Sequence, residues 1–115
     1  MQIVEWIVLG ILATTFMSVG YGKISGARSY HFAFIKWRLP QWFRLLTGAQ
    51  EMLGSCLLII GIWYHSLALF GAVLLLLVCI GGILVHLKSR DGVDDMLPIL
   101  LLSLLLIIYF MFLLF

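Results

Sequence analysis

Three long stretches of the chain carry no Asp, Glu, Lys or Arg, and this feature limits the folds open to it more than any other. The uncharged stretches are Trp6–Gly22, Met52–Leu87 and Met96–Phe115. A helix that crosses a membrane needs about 20 mostly apolar residues, so the first and third stretches each have the length of one span. The middle stretch is long enough for two spans, and the aromatic and polar cluster Trp63–Ser66 marks a turn between them at the bilayer surface.

The composition excludes the soluble alternatives. Hydrophobic residues make up 64% and charged residues 10% of the 115 residues, whereas an ordinary soluble domain has roughly 45–50% apolar and about 25% charged residues. A chain this small has too few polar residues to cover a globule, and disorder needs low hydrophobicity and high charge. With a net charge of +2 and its basic residues set between apolar runs, the chain is not expected to bind nucleic acid.

We therefore predict an all-α integral membrane protein, a four-helix bundle that forms a single membrane domain over residues 1–115. The predicted spans cover about 3–22, 41–63, 66–87 and 96–115. The apolar runs do not alternate with polar residues, as the strands of a membrane barrel would. A connection rich in basic and aromatic residues, at about 23–40, is expected to lie in the headgroup layer, either as an anchor or as a lid or docking site.

The basic residues predict an orientation. All seven Lys and Arg lie in or beside the first and third connections, and they are Lys23, Arg28, Lys36, Arg38, Arg44, Lys88 and Arg90. Connections rich in Lys and Arg stay in the cytoplasm. We expect these two connections on the cytoplasmic side of the membrane and both termini outside.

Small residues at helical spacing predict which faces of the spans meet, because they allow close backbone approach in lipid. In the first span they form the stripe Gly10, Thr14, Ser18 and Gly22. The second and third spans carry the faces Thr47, Glu51, Ser55 and Gly71, Cys79, Gly82, His86. We expect the first three spans to pack through these faces. The fourth span has few polar or small residues and is expected to face mostly lipid.

Glu51 is the polar residue that packing explains least. It lies about 10 Å along the helix axis from Arg44, at a depth where a charge costs on the order of 2.5–3.5 kcal/mol. Lys23 and His86 end the first and third spans in the same leaflet, so Lys23, Glu51 and His86 are predicted to converge on one intramembrane polar site. Such a group suits a proton relay or a hydrogen bond to a quinone carbonyl. The alternatives are helix pairing by Glu51, a surface-directed Lys23 and a helix-end role for His86.

Other chemical motifs are absent from the sequence. Cys56 and Cys79 lie on different spans without a C-x-x-C motif, and we interpret them as packing residues. The histidines and cysteines lack the spacing of metal ligands, so no metal site is predicted. No nucleophile motif or phosphate-binding loop occurs, and no catalytic residue is predicted. The cofactor is left open, with quinone as the candidate.

Several short segments of the chain are similar in pattern and position to segments typical of one membrane-protein family. They are Gly20–Gly26 with its Gly-x-x-Lys pattern, Leu39-Pro40, Gly48–Gly54 with its Gly-x-x-Glu-x-x-Gly pattern, Leu57–Gly61 and His86-Leu87. The chain thereby resembles the DoxX-like family. The resemblance implies a four-helix bundle in the bacterial cytoplasmic membrane, with Lys23, Glu51 and His86 as the matching site residues. Some relatives are small subunits of thiosulfate:quinone oxidoreductases, or partners of redox and thiol-stress systems.

Three functions from different classes remain open. The first is an accessory or quinone-interacting subunit of a membrane redox or stress-response system. The second is a small proton-coupled transporter, although small multidrug transporters carry their membrane Glu in the first span, whereas Glu51 lies in the second. The third is a structural or assembly partner without turnover. The expected partners are the lipid bilayer and either a second membrane protein or further copies of this chain.

Overall fold

The computed structural model describes residues 2–90 and 92–115, apart from the side chains of residues 93–95. All regular structure in this part of the chain is helical, which confirms the predicted all-α class. The helices are α1 (Ile3–Ser25), α2 (Arg28–Lys36), α3 (Gln41–Ile60), α4 (His65–Lys88) and α5 (Val93–Leu114). Helices α1, α3, α4 and most of α5 are long and apolar enough to cross a membrane. The protein is a multi-pass membrane bundle with one additional short helix.

Helix α2 occupies the connection that the sequence assigns to the headgroup layer. It has nine residues, with Arg28 and Lys36 at its two ends and polar residues beside its aromatic ones, so a search for long apolar runs does not find it. Phe34 is buried against the bundle, while Phe32 and Ile35 are exposed on the opposite side. The helix therefore covers one end of the bundle with one face and presents apolar side chains outward with the other.

The spanning helices alternate in direction, and the basic residues gather at one end. At this end, here called the basic end, α1 and α4 finish and α3 and α5 begin, with α2 between α1 and α3. It carries the residues Lys23, Arg28, Lys36, Arg38, Arg44, Lys88 and Arg90. The opposite end, called the far end, holds the turn at 61–64 between α3 and α4. The site described below lies toward the basic end.

Helices α1 and α3 approach each other closely at a pair of glycines. A methyl group added at Gly20 would lie 2.7 Å from the carbonyl oxygen of Gly48, and one added at Gly48 would lie 2.9 Å from the carbonyl oxygen of Gly20. A side chain at either position would push the two backbones apart. The missing side chains thus set the distance between α1 and α3 near the basic end.

The prediction for the small-residue stripe of α1 is wrong. Gly10, Thr14 and Ser18 are exposed, and a methyl group added at Gly10 would meet nothing within 4 Å. The buried face of α1 carries Leu12 and Phe16, which are 0% and 3% exposed and belong to the apolar core. Burial of these large apolar side chains orients α1, so the face with the small residues points away from the core.

Helices α3 and α4 pack tightly toward the far end and separate toward the basic end. A methyl group added at Gly71 would lie 2.9 Å from the carbonyl oxygen of Gly54, so the two backbones nearly touch there. Nearer the basic end, a methyl group at Gly81 would meet nothing within 4 Å, and one at Gly82 would meet Ile99 of α5 rather than α3. The separation leaves space between the helices.

Helix α5 is the least buried of the four spans. In the apolar stretch of 18 residues that could cross the membrane, only 11% of the residues of α5 are buried, compared with 33% for α1. Leu106 and Tyr109 face the core and are almost fully buried, whereas Leu101 and Leu104 are more than half exposed. Helix α5 therefore leaves most of its surface exposed on the outside of the bundle.

Candidate functional site

A salt bridge joins α1 to α3 inside the bundle. Lys23 Nζ donates a hydrogen bond to Glu51 Oε1. Glu51 is 1% exposed and the Lys23 side chain 15% exposed, so protein shields the pair on nearly all sides. An isolated charge at this depth is costly, and pairing with an opposite charge offsets much of that cost.

Two local features place Lys23 beside Glu51. The close approach at Gly20 and Gly48 brings the Cβ of Lys23 against α3, where a methyl group added at Gly48 would lie 2.9 Å from it. Side chains on an α-helix lean toward the N-terminus of the helix, and α1 runs toward the basic end. Lys23 therefore extends into the bundle toward Glu51 instead of turning out to the membrane surface.

Arg44 fixes the backbone that carries Lys23. It is 9% exposed, although the sequence groups it with the basic residues of the first connection. Its Nη1 donates to the carbonyl oxygen of Lys23, one of the carbonyls in the last turn of α1 that lack a helical partner. Its Nε donates to Gln41 Oε1 at 2.8 Å. Gly26, at φ 78°, ends α1 and turns the chain past the guanidinium.

Gln41 extends this network to α2, because its Nε2 donates to the carbonyl oxygen of His31 at 3.3 Å. Neither Gln41 nor Arg44 is predicted from the sequence as part of the site. A signal was present in the spacing of Arg44, Gly48 and Glu51, which are four and three residues apart and therefore share one face of α3. An acid at membrane depth and a glycine indicate that this face of α3 points inward. An arginine on the same face is then expected to point inward too.

Tyr30 of α2 adds a phenol to the same region, and it too was missed. Its ring packs against α1, where a methyl group added at Gly22 would lie 2.7 Å from Tyr30 Cε2. Burial raises the pKa of the Tyr30 phenol above its ordinary value, and the negative charge of Glu51 acts in the same direction. The hydroxyl therefore keeps its proton at neutral pH and can donate a hydrogen bond.

A cavity of about 540 Å³ lies among the five helices toward the basic end. Its polar lining residues are Lys23, Tyr30, Thr47, Gln50, Glu51 and His86, and its aromatic ones include Phe16, Phe34, Trp37 and Phe43. Cavities of roughly 300–1,000 Å³ with mainly apolar walls and a few polar groups are typical of sites for small organic molecules. The arrangement can therefore enclose an apolar molecule and hold one polar end of it.

The structure brings the three predicted residues to this cavity in two different ways. Lys23 and Glu51 contact each other directly. His86 lines the cavity from α4, and its ring meets the ring of Trp37 edge to face, with centroids 5.2 Å apart. His86 thus connects α4 to the residue that follows α2 in the chain.

The two cysteines lie in different surroundings. Cys56 is exposed and Cys79 is buried, and both are free thiols. Cys79 is interpreted from the sequence as a packing residue, and the structure places it in the wall of the cavity. Among the residues whose side chains the structure describes, no group of three His, Cys, Asp or Glu is arranged to hold a metal ion.

The comparison with known proteins agrees with the resemblance seen in the sequence. A family model described as the DoxX-like family matches residues 7–108. This range contains Lys23, Glu51 and His86 and all of α2, α3 and α4. No curated protein and no solved structure matches the chain. Because the family model matches nearly the whole sequence, the chain belongs to the DoxX-like family.

Proposed function

We propose that this protein is a membrane subunit that binds a quinone-class molecule in the cavity and serves a redox or stress-response system of the membrane. The observation that carries the proposal is the position of the Lys23–Glu51 pair on the wall of an otherwise mainly apolar cavity. A quinone has an apolar body and carbonyl oxygens that accept hydrogen bonds. It therefore matches a cavity with apolar walls and a localised group of donors.

The donors at the wall fit a quinone carbonyl. Lys23 Nζ has three N–H donors, of which Glu51 accepts one, and the Tyr30 hydroxyl is a further donor. The rings of Phe34 and Trp37 offer flat apolar surfaces against which a quinone ring can pack. Bound quinone would supply two-electron chemistry, with a second membrane protein as the electron donor. In this scheme Lys23 and Tyr30 orient the carbonyl, and Glu51 holds the ammonium group in place.

Binding of decylubiquinone to the purified protein in nanodiscs tests the proposal. Quenching of Trp37 fluorescence reports occupancy once the exposed Trp6, Trp42 and Trp63 are replaced by Phe. We expect saturable quenching in this parent protein. Glu51→Gln should weaken binding by about tenfold, because a neutral amide holds the Lys23 ammonium less firmly than a carboxylate does.

The matched control is Glu5→Gln, the same exchange in the first turn of α1 at the far end. It should bind decylubiquinone as the parent does. Absence of saturable binding by the parent, or equal loss in both variants, would refute a quinone site at Glu51.

The location and orientation form part of the same proposal. We propose that the protein lies in the bacterial cytoplasmic membrane. The clustering of all seven Lys and Arg toward the basic end supports an orientation with that end in the cytoplasm and both termini outside. A phosphatase fused after Phe115 should be active, and a fluorescent protein fused there should stay dark. Fluorescence at that terminus would reverse the orientation.

A small proton-coupled transporter is the second candidate, and the burial of the Glu51 carboxylate beside a cavity favours it. Substrate-driven proton flux in liposomes that is lost in Glu51→Gln would support this function over quinone binding. A stable complex with another membrane protein, without quinone binding and without flux, would instead identify a structural or assembly partner.

A further inference from the structure

Some residues of the cavity wall are also exposed on the outside of the bundle. Leu46 of α3 is 51% exposed, Leu77 of α4 is 55% exposed, and both line the cavity. Gly81 of α4 is exposed, lines the cavity and has open space where a side chain would project. Residues that face both the interior and the exterior mark the rim of an opening.

A hydrogen bond closes the gap between α3 and α4 on the side of the far end. Gln50 Nε2 donates to the carbonyl oxygen of Leu74 at 3.1 Å. From this bond toward the basic end, Leu46 lies about one turn along α3, and Leu77 and Gly81 lie about one and two turns along α4. The opening therefore starts at the Gln50–Leu74 bond and lies between the facing sides of the two helices.

Helix α2 covers the cavity at the basic end. Phe34 is 3% exposed, and its ring lies 5.4 Å from that of Trp37 and 6.4 Å from that of Phe43, measured between centroids. Trp37 in turn meets His86 of α4. Aromatic rings thus cover the cavity at the basic end, while the exposed wall residues Leu46, Leu77 and Gly81 belong to α3 and α4.

We infer that the cavity is filled sideways from the bilayer, through a portal between α3 and α4 whose rim is formed by Leu46, Gln50, Leu77 and Gly81. The inference rests on the proposed function and makes its ligand more specific. The rim belongs to two membrane spans, so the portal opens onto hydrocarbon. The ligand is then a lipid-soluble molecule whose polar head reaches the Lys23–Glu51 pair while its tail remains in the portal.

Gly81→Phe tests the portal because it narrows the rim without changing a polar group of the site. A side chain at Gly81 starts in open space, so the fold should tolerate it. Gly10→Phe is the matched control, since Gly10 is also an exposed helical glycine in open space but lies on the outer face of α1. Gly81→Ala is a second control that leaves the rim wide.

Stopped-flow quenching of Trp37 in nanodiscs measures association and dissociation of decylubiquinone separately. A narrower route slows both rates by a similar factor, because the route is not part of the bound state. In Gly81→Phe we expect both rates to fall by about tenfold, with an equilibrium Kd within about threefold of the parent value. Gly10→Phe and Gly81→Ala should keep both rates.

The outcomes separate the portal from the site. Unchanged rates in Gly81→Phe would overturn the portal and leave the proposed function intact. A raised Kd with an unchanged association rate would also overturn it, since Gly81 would then contact the bound ligand rather than its path. Lack of binding by the parent would refute the proposed function, and the portal with it.

Discussion

The two halves of the bundle hold their helices together in different ways. Toward the far end, α3 and α4 meet through Gly54 and Gly71, and fully buried side chains such as Leu58 and Leu75 fill the core. Toward the basic end, the same helices separate around a cavity, which the Lys23–Glu51 salt bridge and the aromatic rings of Phe34 and Trp37 border. Because lipid supplies no hydrophobic force between helices, close packing must stabilise the bundle. The far half provides this packing for α3 and α4, and the basic half can therefore contain a cavity.

The division runs between α3 and α4 and does not extend to α1. Helices α1 and α3 stay in contact at Gly20 and Gly48, within the half that holds the cavity. This contact keeps Lys23 within reach of Glu51. The basic half therefore combines one tight helix pair, which positions the ion pair, with one open pair, which leaves room for a ligand.

The largest effect should come from a glycine in the tightly packed half. Gly71→Leu places a side chain against the backbone of α3, and we expect a loss of about 3 kcal/mol in the free energy of unfolding. Unfolding in detergent, followed by circular dichroism, measures this loss. Gly81→Leu on the same helix is the control and should change stability little, because its side chain enters open space. Equal losses at the two positions would contradict the comparison between the halves.

A double-mutant cycle on Lys23 and Glu51 should show a smaller effect. Removing one partner leaves the other without its hydrogen bond, so Lys23→Met and Glu51→Gln should each cost about 2 kcal/mol. The double variant should be no less stable than the worse single one, since neither charge remains. The same unfolding measurement on all four proteins checks this. Fully additive losses would mean that the two charges do not stabilise each other.

Arg44→Lys should cost about 1 kcal/mol of unfolding free energy. Lysine keeps the charge but cannot reproduce the forked donors that join the Lys23 carbonyl to Gln41. Arg28→Lys is the same exchange at an exposed position of α2 and should leave stability unchanged. If both exchanges are neutral, Arg44 does not fix the end of α1.

The smallest effect is expected on the lipid-facing side of α5. Leu104 is 55% exposed, and Leu104→Ile should change the unfolding free energy by less than about 0.5 kcal/mol. Leu106→Ile, two residues on and fully buried, should cost up to about 1.5 kcal/mol because the core must accommodate a different shape. A larger loss at Leu104 would place a protein partner, not lipid, against this face.

The spans and part of the site can be predicted from the sequence. The free-energy cost of placing a charge in lipid applies to each residue separately and does not depend on which helices surround it. Long uncharged runs predict the spanning helices on that basis. The same cost singles out Glu51 and favours a partner of opposite charge at similar depth, which Lys23 provides.

The remaining features depend on which helix faces meet, and residue type alone does not determine that. Helix α1 carries small residues on two faces, and Gly20 packs only because Gly48 lies opposite it. Arg44 has the sequence context of a surface arginine. Its burial is not evident from residue types, because its partner is a backbone carbonyl of another helix and every residue has such a carbonyl. The cavity arises where α3 and α4 separate, which no single residue encodes.

Pairing Lys23 with Glu51 also has an electrical consequence. The pair carries no net charge, so the membrane potential does little net work on it. Moving one elementary charge across a membrane at 100 mV is worth about 2.3 kcal/mol, and Glu51→Gln would leave Lys23 as an unbalanced charge part of the way into that field. Any event that neutralises Glu51 alone would make the position of the Lys23 ammonium group depend on the membrane potential, whereas the native pair leaves little net charge for the potential to move.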